Sequence, residues 1–265
     1  MDLSTRYLGL TLAHPLMTGA SPLVDRLDIV KRLEDAGASA ITMHSLFEEQ
    51  IAMEQRATVH HMESHAESFA EALSYFPDPS DYNLGPDEYL EQIRRIKSAV
   101  DVPVIASLNG STGRGWIDYA RMMEQAGADA IELNVYYLAT DLDETGLAIE
   151  DRVVAISRSV KEAVGVPVAV KLSPFFSSIA NMARRLEEAR VDGLVLFNRF
   201  YQPDIDVETL EVAPRLRLSD PSELLLRVRW LAILSGRLKT DLACSGGVHS
   251  GLDAIKAVMA GACGV

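Results

Sequence analysis

The chain has 265 residues, 48% of them hydrophobic and 24% charged, enough for one large apolar core or two small ones. Its 38 acidic and 25 basic side chains leave a net charge of -13, a field that repels a phosphate backbone and argues against nucleic acid as a partner. No apolar run approaches the roughly 18 residues that span a bilayer, and Met1 to Pro15 lacks the pattern of a signal peptide, so the expectation is a cytoplasmic protein with no membrane contact.

In chain order, a first short apolar run starts at Pro15 (PLMTGA) and ends in Thr18, Gly19, Ala20 and Ser21. A stretch of helical periodicity follows from Leu27 to Ala36. The second run starts at Ala38 (ASAITM) and ends in Thr42, Met43 and His44. A long connection rich in His and Glu, closing in FPDPSDYNLGP, then leads to Pro103. His44 before it and His60, His61 and His65 within it invite a metal reading, His61 and His65 having the i, i+4 spacing of helical ligands. HHMESHAESFAEAL nevertheless reads as a solvated helix face with no completing carboxylate or cysteine pattern, so no metal is expected. Glu48, Glu49, Glu54, Asp78 and Asp81 read as surface groups.

The third run (PVIASL, from Pro103) ends in Ser107 and Asn109 and precedes a helical stretch from Trp116 to Gln125. The fourth (AIELNV, from Ala130) ends in Asn134, before a helix over Asp151 to Val164. The fifth (VAVKL, from Val168) carries Lys171 and Ser173, before a helix over Ile179 to Ala189. The sixth (GLVLF, from Gly193) ends in Asn198, and a second long connection runs to Ser222. The seventh (DLACSGG, from Asp241) ends in Ser245, Gly246 and Gly247, before a helix over Leu252 to Met259. An eighth (CGV) begins at Cys263.

Eight strand starts alternating with helices predict one α/β domain over residues 1–265, a (βα)8 TIM barrel whose eighth strand has only begun and whose natural chain runs on. An open doubly wound sheet is the alternative. VDVPVIASL echoes VGVPVAVKL, and AGADAIEL echoes ARVDGLVL at nearly the same separation, as if one two-strand unit were used twice. Cys244 and Cys263, the only cysteines, are too few for a disulfide framework.

In such a barrel the reactive groups stand at the C-terminal ends of the strands. A ring of amides, hydroxyls and one lysine there suits a polar planar ligand. Alternation along VPVAVKL places Lys171 inside the mouth, where its charge needs an anion, although a rim lysine snorkelling to water would read the same way. SGGVHSGLDAIKAV sets two glycines and Ser250 ahead of a helix, a phosphate-binding arrangement or simply a capped turn. Asn109, Asn134 and Asn198 read either as turn residues or as ligand contacts.

Taken together, LGLTLAHPLMTGASP, YNLGPDEYLEQIRRIK, VPVIASLNG, AGADAIELN, VPVAVKLSP, the asparagine of LVLFN and SGGVHSGLDAIKAVMAGACGV give a chain that resembles the dihydroorotate dehydrogenases, in particular their class 1 branch. The resemblance implies an FMN-dependent oxidoreductase on a (βα)8 barrel, acting on a small-molecule substrate, with a homodimer as the expected assembly. By the same resemblance Ala20 and Ser21 approach the flavin, and Asn109 and Asn134 bind its ring or the substrate. Lys171 faces the N1 and O2 edge, Gly246 and Gly247 hold the cofactor phosphate, and Asn198 contacts the substrate. Hydride would pass from a small cyclic or amide-containing substrate to flavin N5.

The departures are as specific as the matches. The family's cysteine base after the fourth strand is replaced by Tyr137 in NVYYLATD, which becomes the candidate catalytic residue beside Lys171, and a substrate asparagine is replaced by Ala139. Met43 stands where the family's second strand carries a lysine, and Arg217 and Leu218 replace a glycine pair before Ser219. These losses predict that dihydroorotate is oxidised slowly or not at all, with Tyr136 or His44 as the residues that could replace the base from another direction. Two rivals follow from the same residues: a flavin-free Schiff-base lyase or aldolase using Lys171, and a catalytically silent ligand-binding barrel.

Overall fold

The computed structural model describes residues 2–47, 86–109, 113–135, 137–199, 204–213 and 218–265. An antiparallel hairpin, β1 (Thr5–Tyr7) and β2 (Leu10–Leu12), precedes the sheet. Six parallel strands follow in sequential order: β3 (Ile41–Phe47), β4 (Val104–Asn109), β5 (Ala130–Asn134), β6 (Val168–Leu172), β7 (Gly193–Leu196) and β10 (Asp241–Cys244). A small antiparallel pair, β8 (Asp204–Asp206) and β9 (Glu211–Ala213), lies in the connection after β7. The helices are α1 (Leu27–Asp35), α2 (Pro86–Lys97), α3 (Gly113–Gln125), α4 (Gly146–Ala163), α5 (Ile179–Glu188), α6 (Leu224–Leu234) and α7 (Gly251–Met259).

The edges of the six-stranded sheet meet through two further segments. Cys263 N donates to the carbonyl of Leu242 and Cys244 N to that of Gly264, so the last three residues run beside β10. Val265 N donates to Pro15 O and Met17 N to Val265 O, while Thr18 N donates to Ala40 O and Ser39 N to Leu16 O. The segment 15–18 thus bridges residues 39–40, just before β3, to Val265. This hydrogen-bonded circuit is that of a (βα)8 barrel and not of an open doubly wound sheet.

The period of two along each strand sorts residues between two packings. Outward-facing Leu108, Leu133, Val170, Leu194 and Leu242 join the helices in the main core. Inward-facing Ile105, Ala130, Ala169, Val195 and Ala243 meet Tyr7, Leu8 and Leu12, so the hairpin plugs the lower end of the barrel. Gly193 makes room for the plug, since a Cβ there would lie 2.5 Å from Leu8 Cδ2.

The internal repeat is structural as well as sequential. Asp129 accepts from Val104 N at 2.7 Å and pairs with Lys97, and Asp192 accepts from Val168 N at 2.7 Å and pairs with Lys161. Each aspartate fastens the start of the preceding strand, and each is held by a lysine near the C-terminal end of a helix.

Candidate active site

Two adjoining cavities of about 370 and 450 Å³ open at the C-terminal ends of the strands and share a wall formed by Lys171, Ser219, Ser245, Gly246 and Val248. Among inward-facing residues, Glu132 follows Ala130 and Lys171 follows Ala169, so the same alternation that fills the lower barrel brings charge to the mouth. Both side chains are buried, and Lys171 Nζ stands 3.3 Å from Glu132 Oε1. This partner carboxylate was legible in AIELN but was not read as a site residue from sequence. Thr42 also lines the first cavity, and its buried Oγ1 has no hydrogen-bond partner among the described residues.

The second cavity is lined by a polar relay. Ser107 Oγ and Ser45 Oγ are 2.8 Å apart, Asn134 Nδ2 donates to Ser45 Oγ at 3.2 Å, and Asn198 Nδ2 donates to Asn134 Oδ1. Asn198 Oδ1 accepts the Arg199 backbone N–H at 2.8 Å. These bonds fix both amide groups, as a recognition surface requires. Ala20, Ser21 and Arg199 complete this part of the mouth. Ser21 also caps the short 3₁₀ turn Pro22–Asp25, its Oγ accepting from Leu23 N.

At β3 the ladder shifts: Thr42 pairs with Ile105, but Ser45 pairs with Ser107, leaving one extra residue in β3. A bulge of this kind re-aims side chains. Here it lets both His44 and Ser45 reach the second cavity.

The glycine turn after β10 has Gly246 at φ 85° and Gly247 at φ 78°, conformations that glycine adopts without strain. A Cβ on Gly247 would lie 2.5 Å from Leu224 N, so the turn is pressed against the start of α6. From that helix the buried Arg227 donates to the Ser245 carbonyl at 2.9 Å and to the Glu223 carbonyl at 2.8 Å, and pairs with the Glu223 carboxylate. Sequence reading passed over Arg227 because it sits within the apolar run LLLRVRWLAIL. The amides of Gly246 and Gly247 have no acceptor among the described residues. The start of α7 differs from expectation, because its own Asp253 carboxylate takes the His249 N–H and the Ser250 hydroxyl. Those bonds hold Asp253 below the usual carboxylate range, the Ser250 hydroxyl contributing most. Of the two turn glycines, Gly246 lines both cavities, whereas Gly247 is buried and lines neither.

Of the remaining expected residues, Asn109 is buried at the end of β4 and lines neither cavity. Tyr137 is 41% exposed, donates its hydroxyl to Glu144 Oε2 at 2.6 Å, and has the Arg152 guanidinium 4.6 Å from its ring centre. It too lines neither cavity. His60, His61, His65, Glu48, Glu49, Glu54, Asp78, Asp81, Tyr136 and Arg217 lie outside the described residues. Among the described residues no helix is long and apolar enough to cross a membrane.

A barrel with a buried lysine, a fixed pair of amides and a glycine turn around one mouth is a small-molecule enzyme scaffold. Comparison with known proteins gives the family. A model of the family described as dihydroorotate dehydrogenase matches residues 81–265. The chain is 30% identical over 274 residues to a dihydroorotate dehydrogenase B (NAD(+)), catalytic subunit, of Thermoplasma acidophilum, covering 100% of this chain and 85% of that one. Its counterpart from Methanocaldococcus jannaschii is 28% identical over 275 residues, covering 99% and 85%. That from Geobacillus kaustophilus is 32% identical over 192 residues, and this match spans 69% of the chain and 60% of the relative. The chain belongs to the dihydroorotate dehydrogenase family, a family of FMN-dependent oxidoreductases acting on CH–CH groups.

The residues present fit that cofactor. The Gly246 amide, without an acceptor among the described residues, suits a phosphate, the orphaned Thr42 hydroxyl and the placed amides suit ring heteroatoms, and Lys171 supplies a buried cation.

Proposed function

We propose that the chain is an FMN-dependent oxidoreductase that removes hydrogen from two adjacent carbons of a small cyclic or amide-containing molecule. The observation that carries this is Lys171: a buried ammonium on the wall shared by two cavities, with Gly246, whose amide has no acceptor among the described residues, on the same wall. When bound, the flavin supplies a two-electron acceptor for hydride. Gly246 and Gly247 would hold its phosphate. Thr42, Ala20, Ser21 and Lys171 would hold its ring, with Asn109 supporting the end of β4. Asn134 and Asn198, locked by Ser45 and by each other, would orient the substrate through its amide or carbonyl groups.

Lys171 is a placed cation held by a buried carboxylate, which favours the role of stabilising charge on a reduced ring over that of a Schiff-base nucleophile. Tyr137, whose hydroxyl is bound to Glu144, reaches the substrate only by leaving that partner. The relatives' names include NAD(+), and we extend this only to a second substrate that reoxidises the flavin. A homodimer in the cytoplasm completes the reading. Exposed Ile205, Val207, Leu210 and Val212 on the β8–β9 hairpin support a subunit contact.

The visible spectrum of the purified protein tests the proposal. A flavin band at one FMN per chain is expected. Colourless protein that takes up no FMN in a titration would overturn it, and borohydride trapping of Lys171 by a carbonyl compound would favour the lyase.

A further inference from the structure

His44 has no role in the reading above, yet it is among the most constrained polar side chains of the mouth. It is 6% exposed and lines the same cavity as Asn134, Asn198 and Lys171. Its Nδ1 lies 2.6 Å from Asp25 Oδ1, a carboxylate at the end of the 3₁₀ turn that Ser21 caps. Its ring meets that of Tyr89 edge-on, with centroids 5.2 Å apart and planes at 90°. Tyr89, from α2, donates its hydroxyl to the His44 carbonyl at 2.9 Å and accepts from Ser107 N at 3.0 Å. Tyr89 of α2 therefore holds both the backbone and the ring, the Asp25 carboxylate stands beside Nδ1 without a hydrogen bond in this geometry, and the β3 bulge is what turns the residue toward the cavity. Nε2 has no hydrogen-bond partner among the described residues.

We propose that His44 is the catalytic base of this enzyme and that Asp25 is its positioning residue. The proposal rests on the oxidoreductase reading above and supplies what that reading lacks, a proton acceptor inside the cavity. A carboxylate 2.6 Å from Nδ1 draws the proton of a neutral imidazole to that nitrogen once the two groups align, and the Nε2 lone pair is then the acceptor. In the reaction one substrate carbon would give its proton to Nε2, while the neighbouring carbon would give a hydride, with both electrons, to the FMN that the mouth is proposed to hold. The electron pair left by the proton becomes the new carbon–carbon double bond, and the imidazolium returns the proton to solvent when product leaves. An imidazole, with an ordinary pKa near 6.5, accepts protons readily at neutral pH, whereas a phenol with an ordinary value near 10 does not. The charged and titratable groups around His44 are Asp25 and Tyr89 at its back and Lys171, Arg199, Arg227 and His249 across the cavity.

The test is anaerobic stopped-flow bleaching of the FMN-loaded protein by dihydroorotate and by dihydrouracil, from pH 5 to 9. We expect a rate that rises with pH through one ionisation. His44→Asn and His44→Gln should lower it by about 10² to 10⁴ and remove that rise, with FMN content and photochemical reduction of the flavin unchanged. Asp25→Asn, at a half-buried turn position, should give a smaller loss of the same kind. A His44→Asn protein that keeps both the rate and its pH dependence overturns the proposal, as does a loss confined to Tyr137→Phe. Wild-type protein that binds FMN but is bleached by neither probe would instead overturn the dehydrogenase reading on which the proposal rests.

Discussion

Along the inner face of the barrel, two consecutive levels of side chains have opposite characters. The lower level is apolar: Ile105, Ala130 and Ala169 close on Leu8, with Gly193 leaving the space Leu8 needs. One inward position further along the same strands stand Ser107, Glu132 and Lys171. The lower level is filled by the protein's own hairpin, while the upper level leaves its polar groups around open cavities. Filling one end of the barrel completely is what allows the other end to hold a buried ion pair and unpaired amides.

The sharpest way to break this comparison is to remove charge from the upper level. Lys171→Met strands the Glu132 carboxylate in a buried site. We expect a loss of about 3–5 kcal/mol in the flavin-free protein, measured by urea denaturation. The double variant Lys171→Met/Glu132→Gln should recover most of it while still binding reduced flavin less tightly than oxidised flavin, seen as a lower potential in redox titration. An unchanged potential would place Lys171 away from the ring.

The converse experiment weakens the lower level. Leu8→Ala should cost about 2–5 kcal/mol, since the plug residue is 1% exposed and little can move into the space it leaves. Its FMN affinity should match that of the wild type. A large loss of affinity with little loss of stability would mean that the hairpin shapes the mouth as well as the floor.

A smaller effect separates the glycine turn from both levels. Gly247→Ala should cost about 1–3 kcal/mol, because the residue has a left-handed φ and its new methyl would press on the backbone of Leu224. Calorimetry should show FMN affinity falling at least tenfold, since the turn must move to admit the methyl. Unaltered affinity would assign the phosphate to other amides.

How much of this was legible in the sequence follows from the range of each interaction. VAVKL and AIELN place Lys171 and Glu132 inward by alternation alone, and the two related segments gave the repeat that Asp129 and Asp192 now explain. The strand-end asparagines could be placed at the mouth, but that two of them bond each other depends on which strands neighbour which. The hairpin went unread because TRYLGLTL acquires meaning only against Gly193 and Ala169, far along the chain. His44 could be placed at the end of its strand, but the β3 bulge that turns it and Ser45 together toward the cavity has no glycine or other local marker in ITMHSLF. Tyr137 was read by its place in a family loop, and the contacts that turn it outward come from Glu144 and Arg152 on the following turn and helix.

The outward face of the barrel wall offers the smallest test, one of pH. Cys244 belongs to the layer between sheet and helices, and burial pushes its thiol from 9.0 up to about 11, against a weaker lowering by Arg227. Below pH 9 the thiol is neutral in both folded and unfolded chains and contributes nothing to the pH dependence. Between pH 9 and 11 the unfolded chain ionises and the folded one does not, so stability falls by about 1.4 kcal/mol for each pH unit in that window. Cys263, also raised mainly by burial, and the buried Tyr7 act in the same direction in any variant, so the comparison must be differential. Urea midpoints at pH 8 and pH 10 should fall further in the wild type than in Cys244→Ala. Equal declines in the two proteins would mean that the thiol is solvated and that water reaches the layer between β10 and its helices.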